Sequence, residues 1–208
     1  TYRSAIALEA VDGGFLEDVE VDSFYVLNSG HAIFLRIGAR RQSGSRLENI
    51  RIKNVTAEIA ATKPDAGYEY EGPIEDMPRN ISPPIIIAGL TGSLIKNVSF
   101  TNVQLKHPGG GNPQFAKVSL NELDKVPEIP ASYPEFSKFI ELPAWGIYIR
   151  HASDIQFNNV KLSCDKKDYR TAIVLDDVHH SGFVSTTIKE PDKKKPIYQY
   201  KSSEIIFK

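Results

Sequence analysis

A two-strand pattern recurs five times along this chain, and it restricts the fold more than any single motif does. Its first half is a short apolar stretch: Ala5–Glu9, Ala32–Arg36, Pro84–Ala88, Gly146–Arg150 and Ala172–Asp176. Its second half alternates apolar and polar residues over Leu16–Val26, Leu47–Ala57, Ile95–Leu105, Asp154–Leu162 and, more weakly, Gly182–Ile188. Short strands repeated with no helical segment between them point to stacked coils, each burying its apolar face against its neighbours. The pattern is under way from the first residues. The expected fold is therefore all-β, a right-handed parallel β-helix incomplete at its N-terminal end, with residues 1–208 forming one domain. A β-sandwich is the rival, but it needs hairpin turns between consecutive strands, and Asp12-Gly13 is the one such signal.

Spacing sets the coil length. Ile6 to Ile33 is 27 residues and Ile147 to Ile173 is 26, whereas Ile33 to Ile86 is 53 and Ile86 to Ile147 is 61. The excess falls in two irregular segments, about 61–83 and 106–143. Both are rich in proline, and the second carries Gly109-Gly110-Gly111. Pro and Gly disfavour continued strand pairing, so both segments read as loops inserted between coils, where they would shape a binding surface.

The alternating strands align on one another: Asn49–Val55, Asn97–Val103, Asp154–Val160 and Asp18–Phe24. Every second residue is apolar and faces inward. The polar residue just before the last apolar one marks a tight turn, because Asn tolerates the left-handed backbone. Asn54, Asn102 and Asn159 are expected to stack as a ladder of amides. An open first coil would leave Ile6, Leu8, Val19 and Val21 at an unpaired cross-section. The expected cover is the missing upstream coils or another copy of the chain.

Composition excludes several classes. Basic and acidic residues number 25 and 26, so no basic excess marks a nucleic-acid binder. Cys164 is the single cysteine, which rules out an internal disulfide framework or a cysteine metal site. No stretch approaches the roughly 20 apolar residues of a membrane span. No cofactor is called for.

Several segments carry a resemblance: Ala5–Gly14, Ala32–Arg40, Leu47–Val55, Tyr133–Ser137, Leu142–His151 and Ala172–Val178. With these the chain resembles, over nearly its whole length, the C-terminal portion of glycoside hydrolase family 28. This is the polygalacturonase family, and the likeness is to its bacterial pectin-degrading members in particular. The resemblance implies inverting hydrolysis of glycosidic bonds in pectic poly- or oligosaccharide, and an extracellular or periplasmic location. The family's acid and base sit in Asn-Thr-Asp and Asp-Asp motifs followed by Gly-His-Gly. This chain has no Asn-Thr-Asp and no Gly-His-Gly, and Ala7-Leu8-Glu9 stands where the family's Arg-Ile-Lys substrate motif aligns. The resemblance thus places the catalytic aspartates upstream, with no catalytic residue in this chain. The alternative is a non-catalytic β-helix that binds carbohydrate or serves a structural role.

The candidate substrate-binding residues are Glu9, Arg36 and Arg40. Glu9 could accept hydrogen bonds from sugar hydroxyls but would repel a uronate carboxylate. Arg36 and Arg40, one coil later, could each bind a carboxylate bidentately, though an ion pair with Glu9 fits Arg36 equally well. Arg3 is a weaker candidate. Asp176-Asp177 imitates the family's aspartate pair but lies far along the coils, where solvated or capping roles are the default. Tyr148, Arg150 and His151 fit either a distal subsite or packing beneath the second insertion, and Trp145 fits an anchor for that insertion. His179-His180 lacks a companion metal ligand. Asn54, Asn80 and Asn97 match the glycosylation pattern, which coil geometry explains better at two of them. Lys193-Lys194-Lys195 reads as a solvated turn.

Overall fold

The computed structural model of the chain describes residues 3–62, 82–192 and 194–208. Most of insertion 61–83, together with Asn80 and Lys193, lies outside the described residues. The strands are β1 (Ser4–Ala10), β2 (Phe15–Glu17), β3 (Glu20–Ser29), β4 (His31–Ile37), β5 (Arg46–Ile59) and β6 (Ile85–Ala88). They continue as β7 (Ile95–His107), β8 (Ala144–Cys164), β9 (Thr171–Val184), β10 (Thr187–Lys189), β11 (Ile197–Tyr200) and β12 (Ser203–Phe207). All twelve join one sheet, and every strand–strand pairing among them is parallel. The fold is all-β and parallel, which removes the hairpin-built sandwich.

Successive passes of the chain lie in register. Ile6 is beside Ile33, Ile33 beside Ile85, Ile85 beside Ile147, Ile147 beside Ile173 and Ile173 beside Ile197. Two expectations change here. Ile33 meets Ile85 and not Ile86, a slip of one residue that exchanges the inward and outward faces of β6. A sixth pass, β11 with β12, follows the five read from sequence. It is short, and Gln199 takes the inward place that Leu175 holds one pass earlier, which hides the repeat.

Each pass turns at residues held at positive φ, and these fall in columns. One column holds His151, Asp177 and Lys201; a second holds Asp18, Asn49, Asn97, Asp154, His180 and Glu204; a third holds Ser23, Asn54, Asn102, Asn159 and Ser185. Short polar side chains dominate the second and third because they tolerate left-handed backbone and can bond one another across passes. Asn159 donates to Asn102 at 2.9 Å, Asn102 to Asn54 at 3.1 Å, and Asn54 to the Asp22 carboxylate at 2.7 Å. Asn97 donates to Asn49 at 2.7 Å. The amide ladder is present, and Asp22, an acceptor without a proton to give, ends it.

Inside the passes, isoleucine, leucine and valine columns build one continuous core. Phe100, Phe157 and Phe183 stack at 4.6 and 4.7 Å between ring centres, and Phe207 extends the stack at 5.2 Å. Trp145 belongs to this core, with no exposed surface, and its indole N–H donates to Glu190 at 2.9 Å. It therefore closes the interior instead of anchoring the insertion. Gly146 follows because a Cβ there would meet the Ala172 carbonyl oxygen at 2.7 Å.

A second apolar layer lies outside the sheet. The outward column Phe34, Ile86, Tyr148 and Val174 is covered by Val118, Leu123, Val126, Phe136, Phe139 and Leu142, all from the second insertion. That insertion begins only after β7 ends at His107 and carries three short 3₁₀ turns, Pro113–Phe115, Leu120–Lys125 and Phe136–Lys138. Burying six such side chains stabilises the contact by on the order of 10 kcal/mol. The segment is a fixed wall, not a loose flap.

Candidate functional site

One column on the covered face is polar. Reading across passes, it holds Glu9, Arg36, Ala88, Arg150, Asp176 and Tyr200. A guanidinium buried there must find acceptors, and the insertion supplies backbone carbonyls. Arg36 is 2 % exposed, donates to the carbonyls of Glu128, Ile129, Ala88 and Gly89, and lies over the Phe139 ring at 5.2 Å. Burial lowers its pKa to about 10. Arg150 donates to the Val126 carbonyl and pairs with Asp176 at 3.0 Å. Asp176 also accepts from the Tyr148 hydroxyl at 3.1 Å. Burial raises the Asp176 carboxyl, and Arg150 opposes that shift. Tyr148, Arg150 and Asp176 therefore form a buried network beneath the wall, the packing role anticipated for the first two.

Beside it runs a chain of titratable groups. Glu128, on the insertion, accepts from the Thr91 amide at 3.2 Å, and its Oε1 lies 3.0 Å from His151 Nε2. His151 Nδ1 is 2.7 Å from Asp177, whose other oxygen is 2.9 Å from His179 Nε2. His179 Nδ1 reaches the Ser203 hydroxyl at 2.9 Å. Burial alone would raise Asp177, but hydrogen bonds from His151 and His179 outweigh it and hold the carboxyl below its usual range. Asp176 and Asp177 thus point to different networks on either side of a corner. They do not face a shared space where a sugar and a water would sit, as paired glycosidase carboxylates must. Among the described residues, no group of three His, Cys, Asp or Glu side chains could hold a metal ion.

The three sequence-predicted binding residues separate. Glu9 is half-buried next to exposed Ala7, at the margin the wall does not cover. Burial, reinforced by the nearby Glu135 carboxylate, raises its pKa to about 7. Arg3 pairs with Glu135 at 3.0 Å, which draws it into the same cluster. Arg40 is exposed and grips Asp12 at 3.0 Å, while Asp12 also caps the Arg40 and Arg41 amides. Those amides, Arg41's foremost, lower the Asp12 carboxyl. Glu9 and Arg40 remain near solvent; Arg36 is sealed away.

Two grooves were not read from the sequence. One, of about 600 Å³, lies between the insertion and the chain around Tyr169 and Lys195. Its cations are largely engaged: Arg170 pairs with buried Asp168 at 2.9 Å, and Lys194 donates to the Asp168 and Arg170 carbonyls. Lys194 is thus half-buried, not a solvated turn residue. The other, of about 410 Å³, crosses the outward side of β3, β5, β7, β8 and β10. Its signal lay in the polar residues that alternate with core positions in those strands.

A comparison with protein-family models, with curated proteins and with solved structures finds no match in any of the three.

Proposed function

We propose that the parallel sheet is a right-handed parallel β-helix, and that this chain is the non-catalytic C-terminal part of a pectin-active, family 28-like glycoside hydrolase. Parallel strands in one sheet joined by crossovers wind right-handed in almost all proteins. Columns of left-handed corner residues fit the tight bends that such winding needs. In this reading the catalytic aspartates lie outside the chain, and these passes contribute rigidity and carbohydrate-binding surface. One observation carries it: Asp176 and Asp177, the one pair that imitates the family's acid and base, are each committed to other partners, Arg150 with Tyr148 and His151 with His179.

The chain should release no reducing ends from polygalacturonate, while retaining affinity for that polymer. Robust hydrolysis abolished by Asp176→Asn or Asp177→Asn would overturn the reading. A crystal structure with left-handed winding would overturn the fold assignment.

A further inference from the structure

The wall over Phe34, Ile86, Tyr148 and Val174 seals Arg36 and most of the face where the resemblance places substrate, leaving only the margin at Glu9 and Arg40 open, so a longer binding surface has to be sought elsewhere. The groove across β3, β5, β7, β8 and β10 has an unusual lining. Tyr25, Thr56, Gln104, Lys161 and Thr187 stand side by side on five successive strands. All five are exposed, alternating with the inward Val26, Ala57, Leu105, Leu162 and Ile188. Two residues further along the strands runs a parallel row of Glu58, Lys106, Ser163 and Lys189.

The charges in the two rows are not equivalent. Lys106 is neutralised by Glu58 at 3.1 Å and Asp165 at 3.4 Å. Lys161 and Lys189 are both exposed, and neither has a carboxylate within ion-pair reach among the described residues. Tyr25 is 67 % exposed. Neighbouring strands are about 4.8 Å apart, so the row spans roughly 19 Å at right angles to the strands, a length suited to several units of a polymer.

We propose that this groove binds an extended, carboxylate-bearing polysaccharide. Lys161 and Lys189 would take the carboxylates, Gln104, Thr56, Thr187 and Ser163 the hydroxyls, and Tyr25 the apolar face of a sugar ring. A single-stranded nucleic acid fits less well, since successive bases need successive aromatic platforms and the rows hold one aromatic residue. The class of ligand rests on the carbohydrate reading above; its place rests on the groove.

Affinity electrophoresis of the intact chain, in gels containing polygalacturonate, fully methyl-esterified pectin or single-stranded DNA, tests both. Polygalacturonate should retard the chain, and added salt should weaken that retardation. The esterified polymer should bind less, and the DNA least. Loss of two charge-assisted contacts in Lys161→Ala/Lys189→Ala should weaken binding about tenfold or more. Tyr25→Ala should weaken it about threefold or more. Lys195→Ala, in the other groove, should leave it unchanged. Polygalacturonate binding that survives the groove variants overturns the site but not the pectic reading. Equal or stronger retardation by DNA overturns the choice of ligand, and no retardation of the parent chain overturns both site and reading. Folding of each variant is checked by the fluorescence of the buried Trp145.

Discussion

Arg150→Met tests whether the polar column beneath the wall is as dry as its geometry implies. The substitution keeps the volume of the side chain but removes the ion pair to Asp176 and the donor to the Val126 carbonyl. Asp176 would be left 1 % exposed with the Tyr148 hydroxyl as its remaining side-chain partner. Breaking a buried pair from one side costs about 3–5 kcal/mol, because the surviving charge has neither water nor counter-ion. The lower end applies here, as the tyrosine bond remains: about 3 kcal/mol at pH 7. Burial already raises the Asp176 carboxyl, and without Arg150 that shift grows. The penalty should therefore shrink as pH falls and the carboxyl takes up a proton. Arg150→Met/Asp176→Leu removes both charges and should cost only about 1 kcal/mol, so that the second substitution restores about 2 kcal/mol of the loss. Urea unfolding followed by Trp145, the single and fully buried tryptophan, reads all three free energies. A cost below about 1 kcal/mol for Arg150→Met, with no coupling to Asp176, would mean that water reaches the column. The closed face would then no longer be an argument for binding elsewhere.

Two further outcomes follow from corners and titratable groups. Asn102→Ala should cost about 1–2 kcal/mol in urea unfolding, since it removes two ladder bonds and places Ala at φ 55°; Asn102→Gly, free of the backbone strain, should cost about half as much. His31 and Glu9 should give stability opposite dependences on pH. His31 is fully buried, stacked on Phe136 at 4.8 Å, and burial lowers its pKa to about 3, so the unfolded chain binds the extra proton and stability falls as pH drops from about 6.5 towards 3. Glu9, raised to about 7, binds its proton more tightly when folded, so stability falls as pH rises from about 4.5 to 7, by about 1–2 kcal/mol after allowance for its partial exposure. His31→Phe should reduce the loss between pH 7 and pH 4 by about 2–3 kcal/mol, and Glu9→Gln should remove the opposing loss.

The inward half of the fold was legible because its signal is local and periodic. Ile50, Ile52 and Val55 recur as Val98, Phe100 and Val103, and as Ile155, Phe157 and Val160, in the same register that the sheet adopts. The corner asparagines were legible for the same reason, as few other side chains accept a left-handed turn. The β6 register was not. Ile85-Ile86-Ile87 is apolar at every position, and period-2 alternation cannot choose a face when both sides are buried. Ile86 joins Phe34 and Tyr148 outside only because Phe136, Phe139 and Leu142 return from far along the chain to cover it.

The same long-range covering explains which site residues misled. Arg36 and Arg150 carry the residue type and strand position of carboxylate ligands, and nothing within a few residues of either announces that Val126–Ile129 will supply carbonyls to both. A buried guanidinium and a substrate-binding guanidinium need the same thing, a fork of oxygen acceptors, so sequence cannot separate the two until the acceptors are located. Lys161 and Lys189 present the converse case. Each reads as an ordinary outward lysine in an alternating strand, and only the pairing of β7, β8 and β10 sets Lys161 beside Gln104 and Thr187, and Lys189 beside Ser163. What distinguishes them is the lack of a carboxylate partner among the described residues, a property of the neighbouring passes and not of their own strands. In a fold built from parallel passes, ligand chemistry is written across the strands while the sequence is read along them. A groove perpendicular to the chain therefore leaves its residues some 25 to 60 positions apart, the length of a pass with or without an insertion.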